Sequence, residues 1–170
     1  MPGSLYAWYS LYDLDALAER EAVLSGEIGL RQLTRLGGIL HSDRGNIQAS
    51  LKFHRQTNRF IAVDLTVEAV LELICQRCLE PVVRNVSERS SLTLLAPESM
   101  NSRVAKKGEA VVLTEGRLNP VALIEDELIV SLPIIPRHAE IDECGSVAQA
   151  VQALALEERS GTTEPPLRNR

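Results

Sequence analysis

The residues best suited to chemistry are Cys75 and Cys78, in the run Cys75-Gln76-Arg77-Cys78. Two thiolates separated by two residues can share one metal ion or close a redox disulfide. A structural tetrahedral site needs four ligands, and His138 and Cys144 supply the remaining candidates from a segment of their own. Together these residues make a Cys3His set that zinc would fit. The alternative is thiols with no chemistry. A redox role is disfavoured, because reactive CxxC pairs sit at helix N-termini that stabilise the thiolate. Here the pair follows a strand-like run, with Arg77 as its one assured cation. His41 and His54 lie in unrelated contexts and read as ordinary histidines.

Glu125 is the second feature. It falls on the apolar stripe Val121, Ile124, Leu128 and Leu132 of a predicted helix. An unpaired buried carboxylate is costly, so it requires a partner, and Arg77 is the expected one. Asp126 and Glu127 read as solvated. The chain has no GxSxG, no phosphate-binding glycine loop and no HExxH, so no catalytic constellation is visible and a non-enzyme is expected.

These residues sit in a chain of 170, with 18 Lys and Arg against 23 Asp and Glu, a net charge of −5. That balance argues against a protein that coats nucleic acid through phosphate contacts, though a local basic patch is compatible with it. Arg31, Arg35, Arg44, Lys52, Arg55 and Arg59 gather in the first part of the chain, and Lys106-Lys107 follow later. They are the candidate RNA contacts, with dispersed surface charge as the alternative. Three cysteines are a poor disulfide framework, and the N-terminus lacks the pattern of a secretory signal. A cytoplasmic protein without a membrane span is expected. Tyr6, Trp8, Tyr9 and Tyr12 crowd the amino end, where they either pack onto the fold or form a docking surface; exposure of Trp8 discriminates the two.

The positioning elements follow from periodicity. Residues 13–24 read as a helix capped by Asp13, and residues 30–36 as a second short helix. Ile47, Ala49, Leu51 and Phe53 alternate with polar residues as a half-buried strand, and a turn follows at residues 55–58. Ile61 to Leu73 alternate likewise, a run long for one strand. A bulge or bend near Glu68 is expected, with a helix over residues 67–74 as the alternative. A further strand over residues 82–95 places Cys75 and Cys78 at a hairpin tip. Residues 110–113 form a short strand inside a polar loop spanning 97–119. Asn119-Pro120 starts a helix running to about residue 132, where Pro133 stops it. Residues 147–157 are weakly helical, and 157–170 read as a disordered tail.

Two blocks carry a family resemblance. Leu-Glu-Leu-Ile-Cys75-Gln-Arg-Cys78-Leu-Glu-Pro81 is followed by Val121-Ala-Leu-Ile-Glu125-Asp126-Glu127-Leu-Ile-Val-Ser-Leu132-Pro133-Ile-Ile-Pro136-Arg-His138 and then Cys144. Between residues 26 and 144 the chain resembles the bacterial YceD family, the large ribosomal RNA subunit accumulation proteins. The resemblance implies a non-enzymatic role in accumulation of large-subunit (23S) ribosomal RNA and in ribosome biogenesis. The implied partners are large-subunit precursors or their proteins, with at most limited RNA contact and no small-molecule substrate. By matching position, Cys75, Arg77, Cys78, Glu125, Glu127, Pro133, Pro136 and Cys144 are the family-pattern residues. The expected architecture is α+β: a mainly antiparallel sheet over residues 45–96, curled towards a barrel, packed by N-terminal helices within 1–40 and the 120–132 helix. Residues 133–145 form the Cys/His exit segment of one domain spanning 1–156.

Overall fold

A computed structural model describes residues 3–57, 60–99 and 109–161. Strand β1 (Tyr9–Ser10) leads into helix α1 (Leu11–Glu19) and strand β2 (Val23–Gly29). Two single turns of 3₁₀ helix, Leu30–Gln32 and Leu36–Gly38, precede the long strands β3 (Asn46–Thr57), β4 (Phe60–Ile74) and β5 (Pro81–Leu95). Short strands β6 (Ala110–Val112) and β7 (Arg117–Leu118) come next, then helices α2 (Pro120–Ser131) and α3 (Ser146–Gly161).

The five-stranded sheet runs in the order β2-β3-β4-β5-β6, while β1 pairs with β7 in a separate antiparallel ribbon. Pairings from β2 to β5 are antiparallel, but β6 joins β5 in parallel. The sheet is therefore mixed, which corrects the expectation of a mainly antiparallel one. It curls into a half-barrel. Alternation fills its concave face: Leu51 and Phe53 of β3, Val63, Leu65 and Leu71 of β4, and Leu92 of β5 are buried. Leu14 and Leu17 of α1 and Leu123, Ile124 and Leu128 of α2 complete the core.

β4 stays a strand throughout, with no bulge near Glu68 and no helix over residues 67–74. Its register with β5 is unbroken from Ile61↔Leu94 to Ile74↔Pro81, so the ladder holds the long strand as one element. The one irregularity in the β3–β4 pair falls between Arg55 and Thr57, beside the turn.

The amino-terminal third departs most from the helical reading. Ser10, not Asp13, caps α1, and Asp13 returns the bond to the Ser10 N–H as the other half of a capping box. The helix ends at Glu19 because Glu21 turns left-handed (φ +47°). The Glu21 and Ala22 N–H groups then close a Schellman turn onto Ala18 and Leu17. Residues 23–29 form β2, where Leu24 and Ile28 are buried and Gly26 lies opposite Ala49. Residues 30–36 hold one 3₁₀ turn and the start of another instead of a helix. Asn119 caps α2 through its side chain with Pro120 in the first turn, as the sequence indicates. At the far end α3 continues to Gly161, so residues 157–161 are helical where a tail was expected; 162–170 lie outside the described residues. No helix among the described residues is long and apolar enough to cross a membrane.

Candidate metal centre

The β4–β5 hairpin turns at Cys75 to Glu80. The Cys75 N–H donates to the Glu80 carbonyl at 2.9 Å and the Leu79 N–H to the Cys75 carbonyl at 2.8 Å. Burial pushes the Cys75 thiol up, but the N–H groups of Arg77, Cys78 and His138 facing its sulfur outweigh it and hold its pKa at about 5. The turn requires a left-handed residue, and Leu79 supplies it at φ +63° although 73% exposed. A left-handed leucine costs roughly 1 kcal/mol that glycine would not. Leu79→Gly should therefore raise the urea midpoint; an unchanged or lower midpoint would refute strain at this position.

The chain returns to this turn after α2. Pro133 and Pro136 stiffen the exit, the Gln76 N–H donates to the Pro136 carbonyl at 2.8 Å, and Arg84 reaches the Arg137 carbonyl at 3.1 Å. His138 and Cys144 are thereby brought to the CxxC pair, and the ligand atoms of Cys75, Cys78, His138 and Cys144 all lie within 4.8 Å of one another. His138 Nδ1 is 3.5 Å from Cys78 Sγ and 3.6 Å from Cys144 Sγ. A zinc tetrahedron with bonds of about 2.3 Å to sulfur and 2.0 Å to nitrogen has S···N edges of about 3.5 Å. His138 Nε2 donates to the Pro81 carbonyl at 3.1 Å, which leaves Nδ1 with the lone pair a metal needs. The four residues are close enough to bind a metal ion, and their donor set and the His138 Nε2 bond to Pro81 fit zinc.

Arg77 serves this cluster. Its Nε donates to Cys144 Sγ at 3.0 Å and its Nη2 to the carbonyls of Glu140 (2.7 Å) and His138 (3.4 Å). Burial raises the Cys144 thiol pKa against the pull of that guanidinium. The expected pairing of Arg77 with Glu125 is thus wrong. Glu125, 5% exposed, instead accepts from the backbone N–H groups of Arg35 (2.7 Å) and Leu36 (3.0 Å) and from Arg35 Nε (3.0 Å). Arg35 also binds Asp126 and, at 3.1 Å, the Ala122 carbonyl, so it clamps the 33–40 loop onto α2. Asp126 is consequently paired, and Glu127 accepts from the Ser90 hydroxyl, where both read as merely solvated. Neither partner was legible locally, because each lies on a distant stretch of chain.

Comparison with known proteins now bears on this geometry. The family model described as "Large ribosomal RNA subunit accumulation protein YceD" matches residues 63–166. The chain belongs to this family. A similar protein, "Large ribosomal RNA subunit accumulation protein YceD" from Haemophilus influenzae, is 26% identical over 133 residues, covering 78% of this chain and 76% of its own. No solved structure matches. The YceD match contains the whole Cys/His cluster and Glu125 but not Arg35, the partner of that carboxylate. It begins later than residue 26, where the resemblance first suggests itself, and runs past Cys144 over all of α3.

The YceD-pattern residues do not all meet at one place. Cys75, Arg77, Cys78 and Cys144 meet at the cluster, which Pro136 and the Gln76 N–H help close, whereas Glu125 belongs to the Arg35 clamp. Among the described residues, four of the candidate RNA contacts are held in ion pairs. Arg31 pairs with Asp43, Arg35 with Glu125 and Asp126, Lys52 with Glu21, and Arg55 with Asp15 and Glu19. Arg44 lies in the loop before β3, while Arg59, Lys106 and Lys107 fall outside the described residues. Of the crowded aromatics, Tyr9 packs into the core and Tyr6 binds the Glu27 carbonyl, but Trp8 is 56% and Tyr12 84% exposed. Packing accounts for Tyr9 and not for the outward Trp8.

Proposed function

We propose that this chain promotes accumulation of large-subunit ribosomal RNA in the cytoplasm as a non-catalytic factor, docking on subunit precursors or their proteins. The observation that carries the reading is the YceD match over residues 63–166, supported by the relative whose name states that role. A net charge of −5 and the ion-paired state of Arg31, Arg35, Lys52 and Arg55 favour protein docking over coating of the phosphate backbone. Zinc on Cys75, Cys78, His138 and Cys144 would supply a cross-link between the hairpin tip and the exit segment, with Arg77 balancing the anionic thiolates. Its role in this reading is structural, since four protein ligands leave no open position for substrate.

Deleting the gene should lower large-subunit relative to small-subunit ribosomal RNA, read on total RNA. An unchanged ratio in a clean deletion defeats the proposal. A second reading, a zinc-stabilised or thiol-switch module with a partner outside the ribosome, is favoured by the three free thiols gathered in one cluster. It requires that ratio to stay constant while oxidation of the thiols changes partner binding.

A further inference from the structure

Helix α3 starts two residues after the ligand candidate Cys144. From Ala150 to Leu156 every one of its side chains is exposed, Val151 at 61% and Leu154 at 62%. Burial therefore does not hold this stretch against the sheet or α2. Among the described residues, the side-chain bonds of α3 come from Gln149, whose Nε2 donates to the carbonyls of Cys144 (2.8 Å) and Asp142 (3.2 Å).

The loop that accepts these bonds also carries the sulfur. The Cys144 N–H donates to the Ile141 carbonyl at 2.9 Å, closing a turn that sets Cys144 Sγ 3.0 Å from Arg77 Nε and 3.6 Å from His138 Nδ1. One side chain thus joins the ligand residue's own carbonyl to the first turn of α3, and any shift of Cys144 moves an acceptor of Gln149. Metal ligation would fix that sulfur more tightly than hydrogen bonds do, because binding energy becomes folding energy of the segments it joins. At 1.5 Å per residue the 16-residue helix is about 24 Å long, so a small rotation at its base displaces its far end widely.

We propose that Gln149 couples α3 to the Cys/His cluster: a metal held by Cys144 fixes the direction of the helix, and its loss frees the helix. The inference rests on the reading of the cluster as a metal centre and gives that centre a conformational output. Coupling is reciprocal, so the factor by which metal favours the fixed helix is the factor by which the fixed helix favours metal. Gln149 is then a positioning residue that acts through Cys144. The competing role is a local helix cap, which stabilises α3 and leaves metal affinity untouched.

The test uses Co2+ as the probe, because its thiolate charge-transfer bands report sulfur ligation directly. The reduced, metal-free full chain is titrated beside Gln149→Glu, which removes both donors, and Gln149→Lys, which returns donors to the same carbonyls. Gln149→Glu should bind Co2+ about tenfold more weakly, and Gln149→Lys should keep the parent affinity. Equal affinity in all three, or a loss shared by Gln149→Lys, overturns the coupling. Pulsed dipolar spectroscopy reads the helix itself, with nitroxides on Ser87→p-acetylphenylalanine and Leu154→p-acetylphenylalanine so that the cysteines stay free. One narrow distance in the Zn2+ form should be lost on chelation, and lost in Gln149→Glu even with Zn2+ bound. A distance indifferent to metal overturns the inference and leaves the metal centre standing, whereas no cobalt spectrum at all overturns both. Neither measurement involves RNA, so the proposed ribosomal role is judged separately by the deletion.

Discussion

Protein purified without added metal should carry about one equivalent of zinc per chain, and Cys75→Ser should abolish it. The four ligand atoms are already gathered within 4.8 Å, so binding needs no large rearrangement of the fold. A metal that binds only the folded state stabilises it by mass action, about 4 kcal/mol at a thousandfold excess over Kd. For a chain of this size, chelation should then lower the melting temperature by roughly 10 °C. Arg77→Ala should leave the four ligands in place yet weaken zinc retention about tenfold to a hundredfold, because Cys144 loses the donor that orients its sulfur. Binding should fade as acid protonates the thiolates. In the metal-free chain, Cys75 has a folded pKa of about 5 against an ordinary 9.0. A depressed pKa contributes stability that is fully present above the ordinary value and is lost as pH falls through about 5. Elemental analysis that finds no metal, with all three thiols rapidly reactive in the native chain, rejects the zinc centre.

Glu125→Ala should be the most damaging single substitution outside the apolar core. The carboxylate satisfies two backbone N–H groups of the 33–40 loop as well as the Arg35 side chain, and Leu36 beside it is fully buried. Removing it leaves those donors unpaired, a loss of about 3 kcal/mol that urea unfolding would resolve. Arg35→Ala should cost less, because Glu125 keeps both backbone donors and the Arg35 side chain is 48% exposed. Asp126→Ala should cost least, its side chain being 56% exposed. An equal loss for Glu125→Ala and Arg35→Ala would mean that the ion pair, and not the loop N–H groups, is what the carboxylate serves.

The elements that could be read in advance are those specified by neighbours along the chain. Alternation in Ile47 to Phe53 and Ile61 to Leu73 marked β3 and β4, and Asn119-Pro120 marked the start of α2. β2 was missed because α1 ends in a Schellman turn at Glu21, a residue that carries none of glycine's usual signal for such a turn. Leu24 and Ile28 do alternate with polar neighbours, yet the stretch becomes a strand through its ladder with β3. The parallel placement of β6 has the same origin: three residues acquire their direction only beside Thr93 to Leu95.

By itself, the sequence determined the half-buried strands, the capped helix, the CxxC tip of the hairpin and the identity of four candidate ligands. These rest on period-two burial, side-chain capping and donor chemistry, all of which act over a few residues. Tertiary structure decided which charges meet. It turned Arg77 to Cys144 and gave Glu125 to Arg35, ninety residues away. It also brought Cys144 and His138 to the hairpin and engaged Arg31, Arg35, Lys52 and Arg55 of the predicted basic patch in ion pairs. Coulomb and hydrogen-bond partners are chosen by proximity in space, and the return path of the chain sets that proximity.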